Sequence, residues 1–131
     1  MVTVGQDGWA KAAKMEPAFM DGGLWSVSHR HKVRTRRLQA DPRCTLIFDK
    51  PGPLWFTIEA TVTIHDTPDT ADKIIAFMRI RQDRASGPLA WHGDNGYEEE
   101  LDEADFRAAM VSEGCVLYEF DVQRIYGNRG A

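Results

Sequence analysis

The sequence predicts a mainly β protein with attached helices (α+β), its strands antiparallel and wrapped as a barrel. Three observations predict it. Short runs rich in β-branched and aromatic residues alternate their side chains, the best being residues 54–65, LWFTIEATVTIH. Strong turn chemistry separates these runs at Gln6-Asp7-Gly8, Asp21-Gly22-Gly23 and Asp49-Lys50-Pro51-Gly52-Pro53. About six strands against two or three helices, joined by short connections, fit an antiparallel barrel better than a parallel sheet of crossovers.

Taken in order, residues 2–4 are a β-branched run ending at Gly5, and the turn at residues 6–8 makes a first hairpin. Residues 9–20 carry Pro17 and run directly into the turn at Asp21, so they read as one extended second strand rather than a helix. Residues 24–27, LWSV, form an apolar strand. A basic crossing segment follows at 30–37. Its cations Arg30, Lys32, Arg34 and Arg36 recur at a spacing of two, while Arg30, Arg34 and Arg37 share a helical face. His31, Val33, Thr35 and Leu38 turn the other way on that short helix. Asp41-Pro42-Arg43 stops it, because the residue before a proline resists helical dihedrals.

Residues 44–48 read as a third core strand and residues 49–53 as a rigid proline loop. In residues 54–65, Phe56, Ile58, Ala60, Val62 and Ile64 form the core face, and Trp55, Thr57, Glu59, Thr61 and Thr63 the other. Asp66-Thr67-Pro68-Asp69 opens a helix with a cap, a proline at the first helical position and an early acid. Ile74, Ile75, Phe77, Met78 and Ile80 give it an apolar stripe, and it ends near Ser86-Gly87-Pro88. Residues 91–103 are Gly-rich and then acidic, the composition of a surface loop. Leu101, Phe106, Ala109 and Met110 mark a second helix ending at Gly114. Residues 115–125 close the chain as a strand with Val116, Tyr118, Phe120 and Val122 on one side.

Composition bounds the function. The 131 residues, 43% apolar, suffice for one ordinary core, so residues 1–131 are expected to form a single domain. A net charge of −4 argues against a general nucleic-acid binder. Cys44 and Cys115 sit among aliphatic strand residues, as buried thiols of a reducing compartment would. No run approaches the ~18 apolar residues of a membrane span, and the start lacks a signal peptide's pattern, so the expected location is cytoplasmic. Neither a Gly-x-Gly-x-x-Gly nor a Walker loop occurs. His29 and His31 share one side of a strand without a nearby acid, which is weak support for a metal, and the acids from Glu98 to Asp105 read as a solvated loop.

The sequence offers no protein nucleophile and leaves the catalytic residues undefined, so any reaction belongs to a borrowed cofactor. Six of the sixteen Lys and Arg residues fall at Arg30, Lys32, Arg34, Arg36, Arg37 and Arg43 in an otherwise acidic chain. Such a cluster beside the first turn of a helix suits a phosphate, although a solvated basic face is the bland alternative. Ser26 and Ser28 have hydroxyls at the same spacing, for a phosphate or ring carbonyl or simply as strand-edge serines.

Asp7-Gly8, Asp21-Gly22-Gly23, Leu24-Trp25-Ser26-Val27-Ser28, residues 32–38, Asp41-Pro42-Arg43 and Glu59 together resemble the pyridoxamine 5′-phosphate oxidase-like split β-barrel proteins. The closing pieces, residues 105–111 and Arg124-Ile125-Tyr126-Gly127, resemble the actinobacterial flavin/deazaflavin oxidoreductases within that superfamily. The resemblance implies a split barrel, a homodimer with cofactors held between subunits, and coenzyme F420, with FMN as the alternative. Arg34, four positions before Leu38, takes the family's phosphate-binding lysine position, and Lys32 its upstream basic position, with Arg30 as a further contact. Ser26 and Ser28 correspond to the strand hydroxyls, Lys14 and Met15 to ring contacts, and Trp55 of the partner subunit is expected at the ring or substrate. Arg36, Arg37 and Lys11 are surplus cations that suit the polyglutamate tail of F420. The family's N-terminal helix is expected to be absent, and Ala60 stands where glycine is commoner. The implied activity is hydride transfer from reduced deazaflavin to a small conjugated or heteroaromatic acceptor, with a non-catalytic cofactor-binding protein as the competing reading.

Overall fold

A computed structural model describes residues 1–93 and 95–128. Among these the elements run β1 (Val2–Val4), β2 (Ala10–Ala12), β3 (Ala18–Met20), β4 (Gly23–His29), α1 (Val33–Ala40), β5 (Arg43–Asp49), β6 (Trp55–His65), α2 (Thr70–Gln82), β7 (Leu89–His92), β8 (Glu98–Leu101), α3 (Glu103–Ser112) and β9 (Cys115–Asn128). Seven strands pair, all antiparallel, in the order β2-β1-β5-β6-β9-β4-β3, and β7-β8 is a separate hairpin.

The connection between the two edge strands shows that this sheet is not flat. Only residues 13–17 join β2 to β3. That stretch reaches at most roughly 20 Å, whereas a flat sheet of seven strands would be about 29 Å wide. The sheet therefore curls until its edges approach, a barrel split between β2 and β3. Its inner side holds Leu24, Leu46, Ile58, Ala60, Val62, Val116, Tyr118 and Phe120, joined by Leu38 of α1. Its outer side places Trp25, Cys115 and Leu117 against Ile74, Phe77 and Met78 of α2 and Phe106 and Met110 of α3. Being covered on both faces, β4 and the first half of β9 are apolar without alternation, as LWSV and CVLYEF show.

The mainly β, antiparallel architecture agrees with the sequence reading, and so do the faces of β6, with Ile58, Ala60 and Val62 at 4%, 3% and 7% exposure. Across from them, Glu59 pairs with Arg124 and Ala60 with Val122, so Gln123 is the extra residue of a bulge in β9. The turn at Asp21-Gly22 has both residues at positive φ, 51° and 74°, which matches a two-residue hairpin between β3 and β4.

Several expectations are corrected. Residues 9–20 are not one strand: β2 pairs with β1 and β3 with β4, on opposite edges of the sheet, and the Pro17 stretch crosses between them. The helix expected from Pro68 starts later, at Thr70, and stops at Asp83, whose left-handed backbone (φ 54°) ends it before Ser86. Ile80 lies on its solvent side at 52% exposure. The stretch from Trp91 is not a loop, since Leu89–His92 and Glu98–Leu101 pair as a hairpin; Asp94 lies outside the described residues. The carboxylates of β8 tolerate this because they face solvent and Arg84 binds Glu100. Val33 is exposed at 53% because α1 is phased by Thr35 and Leu38, and His31 precedes the helix altogether. Val122 is 40% exposed, displaced by the neighbouring bulge.

Candidate functional site

Helix α1 sets the site by its phase. Thr35, fully buried, donates its hydroxyl hydrogen to the His29 carbonyl at 2.7 Å, so the buried Tyr118 hydroxyl must donate to Thr35 Oγ1. With Leu38 also in the core, these contacts leave Arg34 directed toward β4. There its Nε donates to Ser28 Oγ at 3.0 Å. Ser26 and Ser28 are both 1% exposed. Lys32, in extended backbone, immediately precedes the first turn of α1, and its side chain makes no capping hydrogen bond.

A groove of about 450 Å³ opens beside Arg34. Lys14 and Met15 of the crossing stretch, Ser26, Val27 and His29 of β4, and Arg34 line it on one side. Phe77, Met78, Arg81 and Gln82 of α2, Ala90, Trp91 and His92 of β7, and Glu98 complete it. Its walls are interlocked. Arg81 pairs with Glu16, tying α2 to the crossing stretch. The Gln82 amide clasps the Ala90 backbone in both directions, donating at 2.8 Å and accepting at 2.9 Å, which fixes the hairpin to α2. Trp91 Nε1 donates to Glu113 Oε2 at 2.8 Å.

Of the residues singled out in the sequence, Lys14, Met15, Ser26 and Arg34 share this groove, and Ser28 reaches it through Arg34. Lys32 sits at the start of α1. Arg30 is elsewhere: its Nε and Nη2 each donate to the Asp66 carboxylate at 2.7 Å, beside a separate cleft. The pairing holds the Asp66 carboxyl below the usual carboxylate range and raises the guanidinium. Because α1 begins only at Val33, Arg30 does not share its face with Arg34 and Arg37. Arg37 lies with Arg36 and Lys11 in a second groove of about 640 Å³, and Lys11 there pairs with Asp7. Trp55, 39% exposed, stands at the start of β6 with Leu54, Ile125 and Tyr126.

Sequence reasoning missed His29, Arg81, Gln82, Trp91 and His92 as groove residues. Arg81 follows Met78 by three on α2, so its place on the groove side was legible once that helix was phased. Trp91 and His92 lay in the stretch read as loop, where only the Leu-Ala-Trp-His run opposite Leu101 signalled a strand.

Comparison with known proteins identifies the fold and its family. The family model for pyridoxamine 5′-phosphate oxidase matches residues 1–126. No curated protein matches the sequence significantly. Among solved structures, an F420 reductase superposes with a TM-score of 0.64 at 18% identity, covering 95% of this chain and 85% of that one. A conserved hypothetical protein of Mycobacterium tuberculosis gives 0.67 at 18% identity, covering 96% and 72%. A Lactobacillus delbrueckii protein classed with the pyridoxamine 5′-phosphate oxidases gives 0.59 at 12% identity, covering 95% and 79%. Those identities speak to the fold, and the family match spans every element to within two residues of the end of β9: the chain belongs to the pyridoxamine 5′-phosphate oxidase-like family.

Proposed function

We propose that this protein is an oxidoreductase that binds a flavin-type cofactor, F420 in preference to FMN, and reduces a small conjugated or heteroaromatic acceptor. The observation that carries the reading is Arg34. Its guanidinium is half-buried, oriented by Ser28, and shares one groove with Lys14, Met15 and Ser26. The residues fit such a group. A phosphate needs fixed cations and hydroxyls, and a flat ring needs apolar walls, which Met15 and Val27 supply. The groove's size also falls within the roughly 300–1,000 Å³ usual for small-molecule sites.

Arg34 and Lys14 hold the anionic end, with Lys32 near it at the helix start. Arg30 takes little part, since Asp66 already holds the Nε and Nη2 edge of its guanidinium. Ser28, which accepts from Arg34, keeps its hydroxyl hydrogen for the cofactor, Ser26 gives its own to the Glu16 carbonyl at 3.4 Å, and Met15 lies against the ring. When bound, the reduced cofactor supplies the hydride. The chain's own residues position it, exclude water from one side and leave room for the acceptor. The preference for F420 follows from its anionic tail, for which Lys11, Arg36 and Arg37 line the second groove across α1. Similarity in fold to an F420 reductase supports the same choice.

A homodimer belongs to this reading. Ile47, Trp55 and Tyr126 are exposed at 64%, 39% and 42% on one face of adjoining parts of β5, β6 and β9, an apolar surface that a second copy would cover. Trp55 would then reach the partner's groove.

Fluorescence titration with F420 and with FMN, at two salt concentrations, tests the proposal. Saturable binding that weakens with salt is expected, tighter for F420. Arg34→Ala should weaken it at least about tenfold, the loss of a charged hydrogen bond, whereas Arg37→Ala should matter for F420 only. Absence of binding to either ends the reading, and tighter binding of FMN transfers it to the flavin.

A further inference from the structure

Among the described residues, Trp91 is the one large aromatic of the groove that does not come from the barrel or from α2. It stands on the β7–β8 hairpin, fixed from behind. Its indole N–H is spent on Glu113 Oε2 at 2.8 Å, and Phe106, wholly buried, meets it edge-on with ring centroids 5.7 Å apart. The hairpin itself is clasped to α2 by Gln82. An indole whose polar atom is already satisfied offers a ligand only its rings, and one held on two sides loses little freedom when something stacks on it. Phe77 and Met78 continue the apolar wall.

We propose that Trp91 is the specificity-determining wall on the acceptor side of the groove. It selects flat, conjugated acceptors, of which quinones are the simplest class. Glu113 is its positioning residue. This rests on the reading of the groove as a flavin-type cofactor site and adds to it the class of acceptor.

The probe is menadione, a flat bicyclic quinone, compared with 2-cyclohexen-1-one, which is small and puckered. Equilibrium binding of menadione to the full chain is followed by quenching of tryptophan emission, and the oxidation of reduced F420 or reduced FMN on the protein by each compound, which takes up the hydride from the cofactor and a proton from water, supplies KM and kcat separately. Trp91→Leu is expected to weaken menadione binding and raise its KM about fivefold or more, the scale of an aromatic stacking contact. The cyclohexenone KM, kcat and cofactor affinity should stay within about twofold. Trp91→Phe keeps a flat face and should recover most of the menadione affinity. Glu113→Ala should reproduce part of the loss, and Glu113→Gln, whose amide oxygen still accepts from the indole, should restore it.

Equal losses for both compounds, or no loss for menadione, overturn the assignment, as does failure of the unaltered protein to bind menadione. A fall in F420 or FMN affinity in Trp91→Leu also overturns it, by assigning the indole to the cofactor. Failure of the unaltered chain to bind either cofactor instead sinks the underlying reading of the groove.

Discussion

Thr35 shows how much one buried hydroxyl decides. It accepts from Tyr118 and donates to the carbonyl of His29, so α1, β4 and β9 meet at a single side chain. Thr35→Val keeps the volume but strands both partners, and an unsatisfied buried polar group costs ~1–3 kcal/mol. The expected result is a lower urea midpoint together with weaker cofactor binding, because Arg34 follows the phase of the same helix. Cys44 gives a pH prediction. Burial pushes its thiol from 9.0 up to about 11. The folded chain therefore holds this proton more tightly than the unfolded chain. The contribution is complete below pH 9 and declines as pH rises from 9 to about 11. Urea midpoints across that range should fall less steeply in Cys44→Ala, and reaction of Cys44 with a thiol reagent at pH 8 should be slow. At this scale the sequence was partly legible. Arg34 and the buried cysteines stood out by type and spacing, whereas the engagement of Arg30 by Asp66, 36 positions away, needed the chain to be folded.

Among the elements, the pairing of β6 with β9 is the longest and the most sensitive to backbone approach. At Gly127, an added Cβ would lie 2.4 Å from the Trp55 carbonyl oxygen and 2.6 Å from Phe56 Cα. Both are backbone atoms that cannot step aside. Gly127→Ala should therefore open the end of this ladder, with faster amide exchange at Trp55 and Phe56 and a loss of roughly 1–3 kcal/mol. The bulge at Gln123 should survive, since it lies nearer the middle of the strand. Strands with strong alternation and helices with clear stripes were readable in advance, and so was the stop at Asp41-Pro42. The β7–β8 hairpin was not, because three consecutive glutamates have no strand propensity of their own. Its pairing comes from Gln82, Arg84 and the docking of Trp91 on α3, all of them tertiary contacts.

For the whole molecule, the exposed apolar residues on β5, β6 and β9 set the expectation of a dimer. Light scattering should give twice the 14.8 kDa chain mass, and Ile47→Glu, at a position 64% exposed, should shift the mass toward the monomer while the chain stays folded. A monomer at micromolar concentration for the unaltered chain would remove Trp55 from any partner's groove. Among the described residues no helix is long and apolar enough to cross a membrane. By itself the sequence determined the strand-rich class, the inward face of β6 and the cation cluster around Arg34. These follow from the period of side chains along a strand or helix and from charge, which are local properties. The tertiary structure alone decided that residues 13–17 bring the sheet edges together, and that Arg34 and Arg37 face different grooves. It also decided that Trp91 closes the first groove. Each of these depends on how the sheet curls and how α1 is phased, and that is settled by contacts between residues far apart in the chain.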